Sequence, residues 1–296
     1  MKRRDFIKHS IAGSALVGIG GLSLSSFDSI TTKHLTILHT NDVHSHIDSF
    51  PADHPRNPNM GGVARRASLI ESIKKENPNV LLLDAGDSFQ GTPYFNYYGG
   101  EIEFKLMSMM GYHATTIGNH EFDSGIENLA AQMTHANFKI LSANYDFKNT
   151  VMNGFVQPYQ VFKQDGIRVG IFGLGIELAG LVDKKMYLET VYLDPVEMTK
   201  ETVNQLKAKE KCDLIVCLSH LGYSYKNDPN KICDLKLASI TQDIDLIIGG
   251  HTHTFLDKPT IVENALGKKV LVNQVGCYGI NLGRIDFYFD SDKNVS

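Results

Sequence analysis

Short apolar, β-branched runs alternate along this chain with stretches of helical periodicity, and run after run ends in a cluster of glycine, aspartate, asparagine or histidine. Such alternation is the pattern of an α/β domain, in which each helix returns the chain for a further strand. Strands are expected at 34–40, 80–85, 114–118, 138–143, 168–174, 214–220, 245–249, 269–274 and 284–289. Helices are expected at 62–76, 101–110, 126–135, 195–209 and 231–240. The helix at 195 has a local cause: Asp194 can cap it, Pro195 fits the first turn, and Glu197 can complete a capping box. No linker, repeat or low-complexity stretch divides residues 31–296, which are read as one domain. A length of 296 residues is long for a single core, but two packed sheets use it.

The formal net charge is −4 and the basic residues are scattered, which argues against a nucleic-acid groove or an anionic membrane as the main partner. The four cysteines, Cys212, Cys217, Cys233 and Cys277, show no C-x-x-C spacing, and Cys217 lies inside an apolar strand. They read as isolated or buried thiols rather than bridges or zinc ligands.

Residues 1–30 read as a signal segment. The basic run Lys2-Arg3-Arg4-Asp5-Phe6-Ile7-Lys8 precedes a weakly apolar stretch from Ile11 to Leu24, shorter than a bilayer requires. Arg3-Arg4 before Phe6-Ile7-Lys8 resembles the twin-arginine export signal, a route for folded proteins, and implies a periplasmic location. No Ala-x-Ala site occurs between Ser23 and Ser29, so cleavage and an uncleaved membrane tether both stay open.

The ends of the expected strands carry the chemistry. Asp42-Val43-His44, Gly86-Asp87, Gly118-Asn119-His120, Ser219-His220 and Gly250-His251-Thr252-His253 each follow a strand directly, where ligand sites of such sheets lie. Within Asp42-x-His44 and His251-x-His253 the alternate residues are expected to converge without strain, since the residue between them points away. The neighbouring Gly86, Gly118, Gly249 and Gly250 permit close backbone approach. Carboxylate, imidazole and amide donors without thiolate suit divalent Mn, Zn, Fe or Co rather than a structural zinc knot or a calcium site. Apart from His120, the four histidines, two aspartates and one asparagine make seven candidate ligands, more than one catalytic metal needs, and with one carboxylate shared they supply two four-ligand shells. Two divalent ions are therefore expected.

The runs Leu38-His39-Thr40-Asn41-Asp42-Val43-His44, Gly86-Asp87-Ser88-Phe89-Gln90-Gly91-Thr92-Pro93, Gly118-Asn119-His120-Glu121-Phe122-Asp123 and Gly249-Gly250-His251-Thr252-His253 resemble the calcineurin-like metallophosphoesterases. Within that superfamily they are most similar to the catalytic domain of bacterial periplasmic 5′-nucleotidases and UDP-sugar hydrolases. The resemblance implies a four-layer α-β-β-α sandwich of two mixed sheets flanked by helices. It implies one metal held by Asp42, His44, Asp87 and His253, and a second by Asp87, Asn119, His220 and His251, with Asp87 bridging. It further implies hydrolysis of phosphoric monoesters, foremost 5′-nucleotides, by water that the metal pair acidifies, the pKa falling to about 7. His120 is then the catalytic histidine and Asp123 its orienting partner, with Asn119 and His120 meeting the substrate.

Full-length nucleotidases of this kind carry a second, C-terminal domain that stacks the base. Only Asp290 to Ser296 follow the last expected strand, so that domain is expected to be absent. Either a separate polypeptide supplies it or the enzyme acts alone on less selectively bound esters. Two alternatives stand beside monoester hydrolysis: a cyclic-nucleotide or nucleotide-sugar diesterase or thiosulfohydrolase on the same site, and a non-catalytic metal-binding or partner-binding module. Four further features are weighed. His46 is read either as a contact to substrate or to water beside the ligands or as a solvent-facing loop residue, and His39 as a residue packed in its strand or supporting the ligands from behind. The Tyr94, Phe95, Tyr97 and Tyr98 cluster is read either as a wall of the cleft or, more in keeping with aromatics after a turn, as core. Gly173-Leu174-Gly175 is not a dinucleotide loop, because Leu178 stands where a glycine is required.

Overall fold

A computed structural model describes residues 32 to 293; residues 1–30, read above as a signal segment, lie outside them. The strands are β1 (Lys33–Thr40), β2 (Val80–Asp84), β3 (Ala114–Thr116), β4 (Lys139–Leu141), β5 (Tyr145–Asp146), β6 (Tyr159–Gln164) and β7 (Ile167–Leu174). They continue with β8 (Val191–Tyr192), β9 (Leu214–Ser219), β10 (Leu246–Gly249), β11 (Thr260–Glu263), β12 (Lys269–Asn273) and β13 (Gly283–Phe289). The helices are α1 (Val63–Glu76), α2 (Pro93–Tyr98), α3 (Glu101–Met110), α4 (Ile126–Gln132), α5 (Lys184–Tyr187), α6 (Pro195–Asn204) and α7 (Asp234–Ile240).

Two mixed sheets form, ordered β13-β1-β2-β3-β4 and β11-β12-β10-β9-β7-β6, with a small β5-β8 ribbon. β1 to β4 run parallel, as do β7, β9, β10 and β12, while β13, β11 and β6 join antiparallel. The strand period of two sorts the side chains. Leu35, Ile37, Leu81 and Leu83 of one sheet meet Val169, Ile171, Leu214, Val216 and Ile248 of the other in a shared core. The alternate Leu38, Val80 and Leu82 pack under α1, α3 and α4, and Ile215, Cys217 and Ile247 pack under α6 and α7. This is the expected four-layer sandwich. Each fully buried leucine or isoleucine stabilises it by about 1.5–3 kcal/mol.

Asp194 caps α6 as expected, its Oδ1 accepting from Val196 N (2.8 Å) and Glu197 N (2.9 Å). Glu197 turns its carboxylate to Lys200 at 2.8 Å instead of closing a capping box. The helix expected at 231 begins at Asp234, because Lys231 N is held in a turn on Asp228 O. β6 and β11 were not expected; both are half-exposed edge strands without a continuous apolar signal. All four cysteines are free and buried. Gly173 and Gly175 serve packing: a Cβ would lie 2.1 Å from Leu141 O at the first and 2.2 Å from the Tyr145 ring at the second. Among the described residues no helix is long and apolar enough to cross a membrane.

Candidate metal centre

Parallel strands point their carboxyl ends the same way, so the loops after β1, β2 and β3 meet those after β9 and β10 along one edge of the sandwich. Potential donor atoms of Asp42, His44 and His253 lie within 4.8 Å of one another, and so do those of Asp87, His220 and His251. A third set of the same compactness, His44, Asp87 and His120, lies across the two. Asn119 reaches the second trio, its Oδ1 2.9 Å from His251 Nδ1. All seven expected ligands are thus brought together.

The convergence is not free of strain, which corrects the expectation for the Asp-x-His and His-x-His pairs. Asp42 (φ 50°), His44 (50°), Asp87 (54°), His251 (69°) and His253 (51°) all hold left-handed backbone. Each such non-glycine residue costs about 1–3 kcal/mol and persists only where its surroundings over-determine it. The glycines act as expected through close approach. A Cβ on Gly118 would stand 2.2 Å from Asp87 Oδ1, and one on Gly86 2.8 Å from Gly118 N.

The donor set fits divalent cations. His220 places Nδ1 2.7 Å from Ala85 O, while its fully buried Nε2, 2.9 Å from Asp87 Oδ2, makes no hydrogen bond. His44 places Nδ1 3.3 Å from Phe89 O and Nε2 2.9 Å from His253 Nε2. Backbone carbonyls thus orient two imidazoles so that their other nitrogens face the acids, the usual arrangement of metal-ligating histidine. Burial opposes charge on His220, yet the Asp87 carboxylate and its contact push that imidazole up to about 10. Burial likewise opposes charge on Asp87, but the neighbouring imidazoles hold it well below the usual carboxylate range. The bond to Asp42 is the main cause pushing His253 up to about 10, whereas burial takes His251 down to about 4.

His120 stands beside these groups, its backbone N donating to Asp87 Oδ1 (2.8 Å) and its Nδ1 2.7 Å from Asp123 Oδ2. Burial pulls its pKa down, but the bond to Asp123 and the nearby carboxylates outweigh it and leave the net shift upward. With Nδ1 engaged by Asp123, Nε2 is the nitrogen available to a ligand.

Two supports were not assigned a role from the sequence. Buried Glu121 accepts from the backbone N of Asp87 (2.9 Å), Ser88 (2.8 Å), Phe89 (3.3 Å) and Gly118 (2.7 Å), locking two ligand loops together. Its position directly after Asn119-His120 was the available signal. Tyr278, before β13, donates its backbone N to Asp42 O at 2.7 Å and sets its ring 5.9 Å from His44 and 5.8 Å from His253. No signal marked it. His46 packs between Phe50 and Tyr278, at 4.8 and 4.5 Å, rather than facing solvent freely. His39 is fully buried beside Asn273, as expected. Of the Tyr94 cluster only Phe95 is core. Tyr97 and Tyr98 are 85% and 50% exposed, because a helix as short as α2 turns one face inward.

Residues 35–255 match the calcineurin-like phosphoesterase family. The chain is 36% identical to the snake venom 5′-nucleotidase of Crotalus adamanteus, over 88% of this chain and 46% of that protein. It is 35% identical to the trifunctional nucleotide phosphoesterase of Bacillus subtilis, over 88% of this chain and 18% of that one. Among solved structures, a 5′-nucleotidase precursor from Thermus thermophilus superposes with a TM-score of 0.80 at 36% identity, covering 89% of this chain and 53% of that chain. The chain therefore spans about half the length of the nucleotidases it matches. With the sandwich, the convergent donor sets and a match over most of its length in agreement, the chain belongs to the calcineurin-like phosphoesterase family.

Proposed function

We propose that the protein hydrolyses phosphoric monoesters, with 5′-nucleotides as its leading substrates. The observation that carries this reading is the pair of compact donor trios, with the His120–Asp123 dyad held against Asp87 of the second. In this reading Asp42, His44, Asp87 and His253 hold one divalent ion and Asp87, Asn119, His220 and His251 the other. Bound there, the ions would polarise the phosphoryl oxygens and acidify water. His120, its Nδ1 proton held by Asp123, presents Nε2 to a phosphoryl or leaving oxygen, where an imidazolium stabilises negative charge and donates a proton. Asn119 offers its amide to the same phosphoryl group. The nucleotidase relatives support the substrate class.

The test is hydrolysis of p-nitrophenyl phosphate, bis-p-nitrophenyl phosphate, AMP and cyclic AMP by Mn- or Zn-loaded protein, with Asp87→Asn as control. Metal-dependent turnover that prefers AMP and vanishes in the control is expected. Preference for the diesters would favour the second reading, which the trifunctional relative supports. Weak, unselective turnover would assign selectivity to a separate polypeptide, and no turnover would sink the reading.

For residues 1–30 the proposal is export by the twin-arginine route to the periplasm. Arg3→Lys combined with Arg4→Lys should leave the protein inside the cell; export of that variant would dismiss the route.

A further inference from the structure

The loop that carries His251 and His253 closes around one buried amide. Gln274, directly after β12, is fully buried, and its side chain spans that loop from one end to the other. Its Nε2 donates to Gly250 O (2.6 Å), just before His251, and its Oε1 accepts from Thr254 N (2.7 Å), just after His253. Between the two imidazoles, the Thr252 hydroxyl donates to the same Oε1 (3.2 Å) and accepts from Tyr223 N (2.9 Å) in the loop after β9. A carbonyl only accepts and a backbone N–H only donates, so Gly250 and Thr254 together call for a donor and an acceptor on one short group. A carboxamide has both.

The backbone of the loop shows what this amide has to hold. His251 (φ 69°) and His253 (φ 51°) are left-handed, a conformation that persists only where the surroundings over-determine it. Asp42 restrains His251 N from the far sheet, at 2.9 Å, and Gln274 restrains the loop on both sides of the pair. The space behind the loop is closed. A Cβ on Gly249 would stand 2.0 Å from Asp234 Oδ2 and 3.0 Å from Gln274 Nε2, and Asp234 Oδ1 accepts the hydroxyl of Ser219, the neighbour of His220.

We propose that Gln274 is a positioning residue that sets the spacing of His251 and His253, and through them both candidate metal sites at once. The inference rests on the phosphoester reading above and on its two ions. His253 belongs to one donor trio and His251 to the other, so a group that holds their common loop acts on both. Loss of an imidazole removes a ligand from one site. Loss of the amide leaves all seven ligands in the chain and releases two of them from their geometry.

The experiment titrates Mn and Zn calorimetrically into metal-free wild type, Gln274→Met, Thr252→Val and Asn264→Ala, with Tm of each metal-free protein and p-nitrophenyl phosphate turnover alongside. Methionine occupies a similar volume without the donor and acceptor. Asn264, buried on the turn after β11, accepts at Oδ1 from Leu266 N (2.9 Å) and Lys268 N (3.0 Å), and its replacement tests whether lost stability alone weakens the sites. In Gln274→Met the Kd of both metal equivalents is expected to rise about 10–100-fold, the usual cost of losing a group that orients ligands. Thr252→Val should show a smaller rise at both, and Asn264→Ala none. Wild-type affinity in Gln274→Met would overturn the proposal, and so would a loss in Asn264→Ala in proportion to its Tm. Should Gln274→Met fail to fold, Thr252→Val decides, since unchanged affinity there overturns the role. Two equivalents that weaken together in Gln274→Met, in a protein that cleaves no phosphoester, would keep the positioning role and remove the phosphoester reading.

Discussion

His120 is fixed from two directions, by Asp123 on its ring and by Asp87 on its backbone N, and it lies outside both proposed four-ligand sets. Replacing it by asparagine should therefore leave both metals bound while kcat falls by roughly 10²-fold or more, the scale of a lost acid–base group. Metal analysis alongside p-nitrophenyl phosphate kinetics checks this, and near-normal turnover by the loaded variant would remove His120 from the mechanism. His39 shows the opposite use of an imidazole. Burial takes it from 6.5 down to about 4, so it stays neutral inside the sandwich. Between those values the unfolded chain binds a proton that the folded one does not, and stability falls as pH drops through that window. His39→Gln should flatten the dependence of unfolding free energy on pH between 6.5 and about 4, by up to about 1.4 kcal/mol per pH unit, in urea titrations. An unchanged slope would show that His39 is not held neutral.

At the scale of elements, the strands whose two faces are both covered were legible because they read as unbroken apolar runs. β2 (VLLLD) and β9 (LIVCLS) are buried at every position. β6 and β11 were not legible, because on an edge the apolar signal is diluted by half-exposed residues. The loops after β2 and β3 lie so close that Gly118 has no room for a Cβ beside Asp87. Gly118→Ala should therefore displace Asp87 and weaken metal binding at least tenfold by calorimetric titration. The cap of α6 offers a contrast on a distant element. Asp194→Ala should cost about 1 kcal/mol in chemical denaturation and leave metal affinity unchanged, and a coupled loss of affinity would show that α6 bears on the site.

For the molecule as a whole, five left-handed candidate-ligand positions put the sheet edge under backbone strain. Ligands that bind only the folded state raise its stability by mass action. Chelation should lower Tm by several degrees, on the order of 5 °C from metal at about a hundred times its Kd, in calorimetric scans. Equal Tm values with and without saturating Mn or Zn would mean that the protein scaffold alone holds the ligand loops.

The identities of the candidate ligands and their places after strands were determined by the sequence itself, because strand period and loop chemistry are local properties. So was the division into strands and helices through the covered core. The partnerships were decided by tertiary structure. His44 meets His253 across 209 positions and His251 meets Asn119 across 132, distances set by how the two sheets pack and by no local preference. The left-handed turns at the ligands, the locking carboxylate of Glu121 and the placement of Tyr278 have the same origin. Each is a response of the chain to neighbours that exist only once both sheets have closed on their shared core.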